Sequence, residues 1–232
     1  MSATPAAVPA VPPSTPRRRA TGTPRPVVIR GVRLVGTGLA RLVLRLRIEG
    51  AQHVPATGPV LLASNHSGIL DGPLVFFVSP RPASLLTKSE AFVGIWARAA
   101  GWLELIPVHR GQADRAALQA GLAHLAAGGA LGVFPEGTRG TGRLEQVADG
   151  LAYLALRSGA VVVPLAVHGT SAALPPGRTV PRLRSPVRVV FGPPVHLQTT
   201  GDPRARSTVR AAGEELRLAL VDHLRRTTEP AA

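Results

Sequence analysis

The chain has 232 residues, 45% of them apolar, 27 Lys+Arg against 13 Asp+Glu, and no cysteine. That length and apolar share suit one sizeable α/β domain with appendages, while the missing cysteines exclude a disulfide scaffold, thiolate catalysis and thiolate zinc sites. No uninterrupted apolar run reaches the ~18–20 residues of a spanning helix. The +14 formal charge, carried by 26 arginines and the single Lys88, seeks anions: membrane headgroups, phosphorylated substrates or nucleic acid.

Residues 1–26 hold seven prolines, the run Arg17-Arg18-Arg19 and no acidic residue, with nothing to build a core. They read as a disordered basic tail, and they lack the apolar stretch of a secretion signal. The tail carries four of the arginines, which leaves +10 on the remainder. Residues 27–43 turn helical. Val28, Val32, Val35, Leu39, Leu42, Val43 and Leu46 gather on one side, and Arg30, Arg33, Arg41 and Arg45 on the other. Two readings fit this stripe: a helix lying in a membrane interface, or a surface helix packing the stripe on its own domain. Near Leu44 the period drops to two, because Leu46 and Ile48 alternate with Arg45, Arg47 and Glu49, which predicts a strand.

Strands are then predicted at Val60–Ala63, Ser84–Thr87, Leu103–Val108, Ala130–Phe134, Ala160–Ala166 and Val187–Phe191. Helices are predicted near Gly72–Val78, Ala91–Ala100, Ala113–Ala126 and Val147–Arg157, with an amphipathic helix over Arg204–Arg226. The alternation predicts an α/β fold, a mixed and largely parallel sheet flanked by helices. The expected organisation is a tail (1–26), an amphipathic helix (27–43), one α/β domain (44–226) and a disordered C-terminus (227–232).

Four constellations carry chemistry, each at a strand end, where active-site groups of open α/β sheets gather. His66 and Asp71 follow the first buried strand in Asn65-His66-Ser67-Gly68-Ile69-Leu70-Asp71. An imidazole accepts a proton near neutral pH, and a carboxylate beside it fixes its tautomer. Alone, the pair also fits a structural hydrogen bond at a helix start. In Phe134-Pro135-Glu136-Gly137-Thr138-Arg139, Gly137 permits a tight turn, Thr138 offers a hydroxyl and Arg139 a fork suited to phosphate; an ordinary polar turn fits equally well. Arg110 ends Ile106-Pro107-Val108-His109-Arg110, either as a second cation for one anion or as a solvated surface residue. Pro164 interrupts an apolar strand and marks a bulge, an edge or a strand end.

Together and in this order, the HxxxxD pattern at His66 and Asp71, the arginine motif ending at Arg110, the FPEGTR motif at Phe134–Arg139 and the Pro164 strand resemble the phosphate acyltransferases that include the 1-acylglycerol-3-phosphate acyltransferases. The resemblance runs from about residue 44 to 170. It implies a glycerol-3-phosphate acyltransferase-like fold and acyl transfer from acyl-CoA or acyl-carrier protein to the free hydroxyl of 1-acylglycerol-3-phosphate in phospholipid biosynthesis. His66 would be the general base and Asp71 its orienting partner, with no acyl-enzyme. Arg110, Glu136, Gly137, Thr138 and Arg139 would hold the acceptor's glycerol phosphate. No cofactor or metal is implied. The implied partners are the acyl thioester donor, a lysophospholipid acceptor, acyl-carrier protein and an anionic membrane surface, with the protein peripheral or monotopic on the cytoplasmic face of the cell membrane.

Two departures bear on the acceptor. Members often carry a lysine shortly after FPEGTR, before a glycine, where this chain has Gln146-Val147-Ala148-Asp149-Gly150, and the common serine after the motif is Gly140. An acyltransferase acting on another lysolipid or on glycerol phosphate fits the same motifs. From another class, a nucleic-acid-binding protein fits the charge, but with 3% aromatics and dispersed arginines it lacks stacking platforms and a recognition helix, so nucleic acid is not an expected partner.

Overall fold

The computed structural model describes residues 26–88, 105–108, 115–137, 142–144 and 147–228. Its strands are β1 (Arg45–Glu49), β2 (Val60–Ser64), β3 (Ala83–Lys88), β4 (Ile106–Val108), β5 (Ala130–Val133), β6 (Val161–His168) and β7 (Pro186–Phe191). Its helices are α1 (Pro26–Val43), α2 (Asp71–Val78), α3 (Arg115–Ala126), α4 (Asp149–Ser158), the single turn α5 (Thr170–Ala173) and α6 (Arg206–Thr228). The strands form one sheet in the order β1-β7-β6-β2-β5-β3-β4. Every neighbouring pair is parallel except β6 with β7, which is antiparallel. The expected mixed, largely parallel sheet is therefore present.

The centre of the sheet explains the apolar runs. β2 lies between β6 and β5 and is covered on both faces, so Val60, Leu61, Leu62 and Ala63 are all fully buried. A strand buried on both sides has no polar face to alternate with. Leu61, Leu131 and Val162 pack under Leu125 of α3, Leu151 and Leu154 of α4, and Leu216 and Leu220 of α6. Val60, Leu62, Val163 and Val189 pack on the other face under Val75, Phe76 and Val78 of α2 and Ile29 of α1. The result is three layers around one sheet.

Three local points sharpen the reading of the sequence. Most of the apolar stripe on α1 faces away from the domain, Val43 excepted. Val28, Val32, Val35, Leu39 and Leu42 are exposed, and the inward side is Ile29, Arg33, Gly36, Thr37, Ala40 and Val43. Arg33, expected on the solvated side, is 9% exposed and donates its Nε–H to the Phe76 carbonyl. That carbonyl belongs to the last turn of α2, where a cation is favourable; burial lowers the guanidinium's pKa from its ordinary value. Thr37 donates to the Phe77 carbonyl beside it, and the Phe77 ring lies where a Cβ on Gly36 would stand. Two polar bonds and a ring against a glycine thus decide which face of α1 turns inward.

Pro164 sits in a central strand, neither at an edge nor at a strand end. It pairs with Ala63 on one side. On the other, the ladder with β7 begins only at Leu165, and the Gly192 N–H reaches the Pro164 carbonyl as the partner chain bends away. The missing N–H falls where the ladder is interrupted. At the C-terminus α6 runs to Thr228 rather than ending at 226, because Thr227 is buried, accepts from or donates to His168 Nε2, and gives its carbonyl to Arg188. The predicted helix at Ala91–Ala100 and residues Leu103 and Glu104 of the fourth predicted strand lie outside the described residues.

Candidate active site

β6, β2 and β5 are adjacent and parallel, so their carboxyl ends open on one edge. Each delivers a polar side chain within a few residues of its end: Thr170 after β6, His66 after β2 and Glu136 after β5. Asn65 fixes the first junction. Its side-chain amide donates to the Val167 carbonyl and accepts from the Val167 N–H, at 3.0 and 2.8 Å, and so fills a peptide's place between two strand ends.

His66 Nδ1–H donates to Asp71 Oδ2 at 3.0 Å. The carboxylate only accepts, so this bond puts the proton on Nδ1 and the lone pair on Nε2. The Phe134 ring stacks on the imidazole, centroids 4.4 Å apart, and the ring remains 19% exposed. Phe134, the first residue of FPEGTR, thereby limits how the base can turn. Among the described residues, none is hydrogen-bonded to Nε2.

Asp71 is fully buried at the first turn of α2. A buried carboxylate is costly unless its lone pairs are filled, and here four donors fill them. Oδ2 accepts from the Ser67 and Gly68 amides, both at 2.7 Å, and from His66. Oδ1 accepts from the Thr170 hydroxyl at 2.5 Å. Thr170 is itself buried, and Gly68 allows its approach, since a Cβ on Gly68 would stand 2.8 Å from Thr170 Oγ1. Sequence reasoning passed over Thr170. The available signal was a Gly169-Thr170 pair directly after an apolar strand, the same position relative to β6 that His66 holds relative to β2.

Glu136 is joined to this centre in a way its motif does not reveal. Its Oε2 accepts from the His66 amide at 3.2 Å and its Oε1 from the Leu144 amide at 2.6 Å. The carboxylate therefore ties the turn after β5 to the backbone of the base. Gly137 closes that turn with its amide on the Phe134 carbonyl and a φ of 64°, in the left-handed region that glycine enters freely. Beyond the turn, Gly142 lies against Ser67, where a Cβ would come within 3.0 Å. Arg110, Thr138 and Arg139 lie outside the described residues. Arg110 follows β4 and Arg139 follows β5, two parallel strands with β3 between them. No metal-holding group of three His, Cys, Asp or Glu occurs among the described residues.

An imidazole held in one tautomer at the sheet edge, with Nε2 open, can accept a proton from a hydroxyl. The sequence profile described as Acyltransferase matches residues 45–168, over half of the chain, from β1 to the end of β6. The chain belongs to the acyltransferase family. The chain is similar to the chloroplastic 1-acyl-sn-glycerol-3-phosphate acyltransferase LPAT1 of Arabidopsis thaliana, with 29% identity over 159 residues, 66% of this chain and 44% of that protein. It thus spans less than half the length of this curated relative. Its fold matches the crystal structure of the 1-acyl-sn-glycerophosphate (LPA) acyltransferase PlsC from Thermotoga maritima, with a TM-score of 0.65 and 21% identity over 88% of this chain and 81% of that one. At that identity the likeness speaks for the fold.

Proposed function

We propose that the protein transfers an acyl group from an acyl thioester, on coenzyme A or acyl-carrier protein, to the free hydroxyl of 1-acylglycerol-3-phosphate. The observation that carries this reading is the His66–Asp71 pair, with Nε2 open and Nδ1 committed to a buried carboxylate. His66 Nε2 takes the hydroxyl proton as the oxygen attacks the thioester carbonyl; the C–O bond forms, the C–S bond breaks, and the proton passes to the departing thiolate. Asp71 orients the imidazole and stabilises the imidazolium. Positioned general-base catalysis typically supplies ~10²–10⁴ of the rate. The names of the Arabidopsis and Thermotoga proteins support the choice of acceptor.

In this reading Gly137, Thr138, Arg139 and Arg110 hold the glycerol phosphate, with the two guanidinium forks matched to a dianion. β4 and β5 are two places apart, so at ~4.8 Å per strand their ends are about 10 Å apart, a gap that two long side chains facing one phosphate bridge. Glu136, whose oxygens take the His66 and Leu144 amides, acts by positioning the base. The outer face of α1, apolar and flanked by exposed Arg30 and Arg41, attaches the protein peripherally to an anionic membrane on its cytoplasmic face. No described helix is long and apolar enough to cross a membrane.

The test is purified protein incubated with a panel of lysolipids and glycerol phosphate, with acyl-CoA or acyl-carrier protein as donor, products being identified by mass. Phosphatidate from lysophosphatidate is the expected product, and His66→Ala is expected to abolish it. A preferred product from another acceptor overturns the substrate assignment, and His66→Ala retaining more than a few per cent of turnover overturns the general base.

A further inference from the structure

The twelve residues between α5 and β7, 174–185, contain Arg178, Arg182 and Arg184 and no acidic residue. All three arginines are exposed, and so are Val180 at 66% and Leu183 at 72%. A single exposed apolar residue is ordinary, but this segment is held in place. The Arg182 amide donates to the Ala173 carbonyl of α5 and the Ser185 carbonyl accepts from the Arg45 amide. The Arg184 amide donates to the Val43 carbonyl at 2.6 Å, in the last turn of α1. Arg184 takes a left-handed φ of 60° to do so, a conformation that non-glycine residues rarely adopt.

The segment therefore joins two places. Behind it, Thr170 holds Asp71, and Ala173 packs with Leu70 and Leu74 on the catalytic side of α2. Ahead of it lies the end of α1, whose exposed Leu39 and Leu42 continue the apolar surface. Ile69, inside the HxxxxD segment, is also 55% exposed.

We propose that segment 174–185 is a second contact with the anionic bilayer, seating Val180 and Leu183 among the lipids and its three arginines on the headgroups. The footprint of α1 is thereby carried to the mouth of the active site. Continuity with the outer face of α1 and an all-cationic charge set choose lipid as the occupant over an acidic protein. The proposal rests on the acyltransferase reading only for its choice of substrate. Such a contact lets a lysolipid slide from the bilayer plane to His66 without leaving it.

The test uses the full chain and phosphatidylcholine vesicles with or without phosphatidylglycerol. Each arginine near an anionic surface contributes about fivefold in partitioning, so the triple variant R178Q/R182Q/R184Q is expected to bind anionic vesicles roughly a hundredfold more weakly. High salt should erase the difference. Turnover of a short-chain lysophosphatidate kept monomeric is expected to be unchanged, while turnover of vesicle-borne acceptor falls. The absence of cysteine makes Leu183→Cys a unique site for an environment-sensitive fluorophore, which should shift to the blue and be quenched by spin-labelled lipid.

A silent label on vesicle-bound protein overturns the proposal. So does an equal loss with monomeric substrate, which would place the segment in the active site. A loss confined to the carrier-protein donor, with vesicle binding intact, would assign it to protein docking instead. A shifted label on a protein inactive toward lysophosphatidate would uphold the lipid contact and refute the proposed activity.

Discussion

Replacing Thr170 by valine keeps the shape of the side chain and removes its hydroxyl, which donates to Asp71 Oδ1 at 2.5 Å and pairs with the Ser67 hydroxyl at 3.3 Å. The acceptor is an ionisable group buried to 0% exposure, and a hydrogen bond to a charged group contributes ~1.5–3 kcal/mol. In a domain of this size the melting temperature falls ~2–4 °C per kcal/mol, so a drop of roughly 3–12 °C is expected. Stability alone does not separate a structural threonine from one that positions the base. If the same energy is expressed in holding His66 ready, kcat falls roughly ten- to a hundredfold, short of the ~10⁴ that loss of the orienting aspartate costs in a serine-protease triad.

Kinetics separate the two roles. Steady-state measurements with both substrates should show kcat lowered and KM for the donor unchanged. Thr170→Ser restores the hydroxyl and should recover rate and melting temperature together. A valine variant that melts early but keeps the wild-type kcat would refute the positioning role.

Asp71→Asn should be nearly as severe as His66→Ala, because an amide can hold Nδ1 as an acceptor and so leave Nε2 protonated, visible as lost kcat with retained vesicle binding. Arg139→Ala and Arg110→Ala should each raise KM for the phosphorylated acceptor roughly ten- to a hundredfold and leave donor KM alone; a donor-only effect would move both arginines to the carrier's pyrophosphate. Gly68→Ala presses a Cβ toward Thr170 Oγ1 and the Ser171 amide, and should mimic Thr170→Val in kcat; a wild-type kcat would show that the contact relaxes freely. Burial lowers the pKa of His168 and His223 below the ordinary imidazole value, Arg188 adding to the first. The unfolded chain therefore binds protons that the folded one refuses, and stability present above about pH 6.5 is lost as pH falls from there toward the depressed values. Urea unfolding at pH 7.5 and 5.5 should show this, and His223→Gln should flatten it.

The sheet was legible because its central strands are buried on both faces. Val60–Ala63 and Ala160–Ala166 are apolar runs, the second broken only by Pro164, and each lies within a residue or two of an observed strand. α1 was legible as a helix, and the inward turn of Arg33 was not. Periodicity reports where apolar residues gather, and it treats every arginine as solvated. It carries no information about the carbonyl of Phe76 or the ring of Phe77, which come from a helix some forty residues later and turn Arg33 and Gly36 inward. Pro164 was ambiguous for a related reason: whether a missing N–H is harmless depends on where the neighbouring strand stops pairing, and the β6–β7 ladder begins only at Leu165 and Phe191.

The same distinction divides the site. His66 and Asp71 stand on one short loop, so their spacing in the sequence already limits their distance in space. Thr170 and Glu136 reach the same centre from other strands, 99 residues from Asp71 and 70 from His66, and what brings them there is the parallel order β6-β2-β5. Their chemistry is legible only after the strand order is known. Glu136 shows the consequence. Its place in FPEGTR implies a ligand for the substrate, and its carboxylate takes two backbone amides. Those bonds tie the turn after β5 to the backbone of His66, so in the proposed mechanism a substitution in either shifts the distance between the proton acceptor and the hydroxyl it must reach. In such a site the separation of binding from catalytic residues is a matter of which atoms touch substrate, and Glu136→Gln, which keeps one acceptor and loses the other, should lower kcat more than it raises acceptor KM.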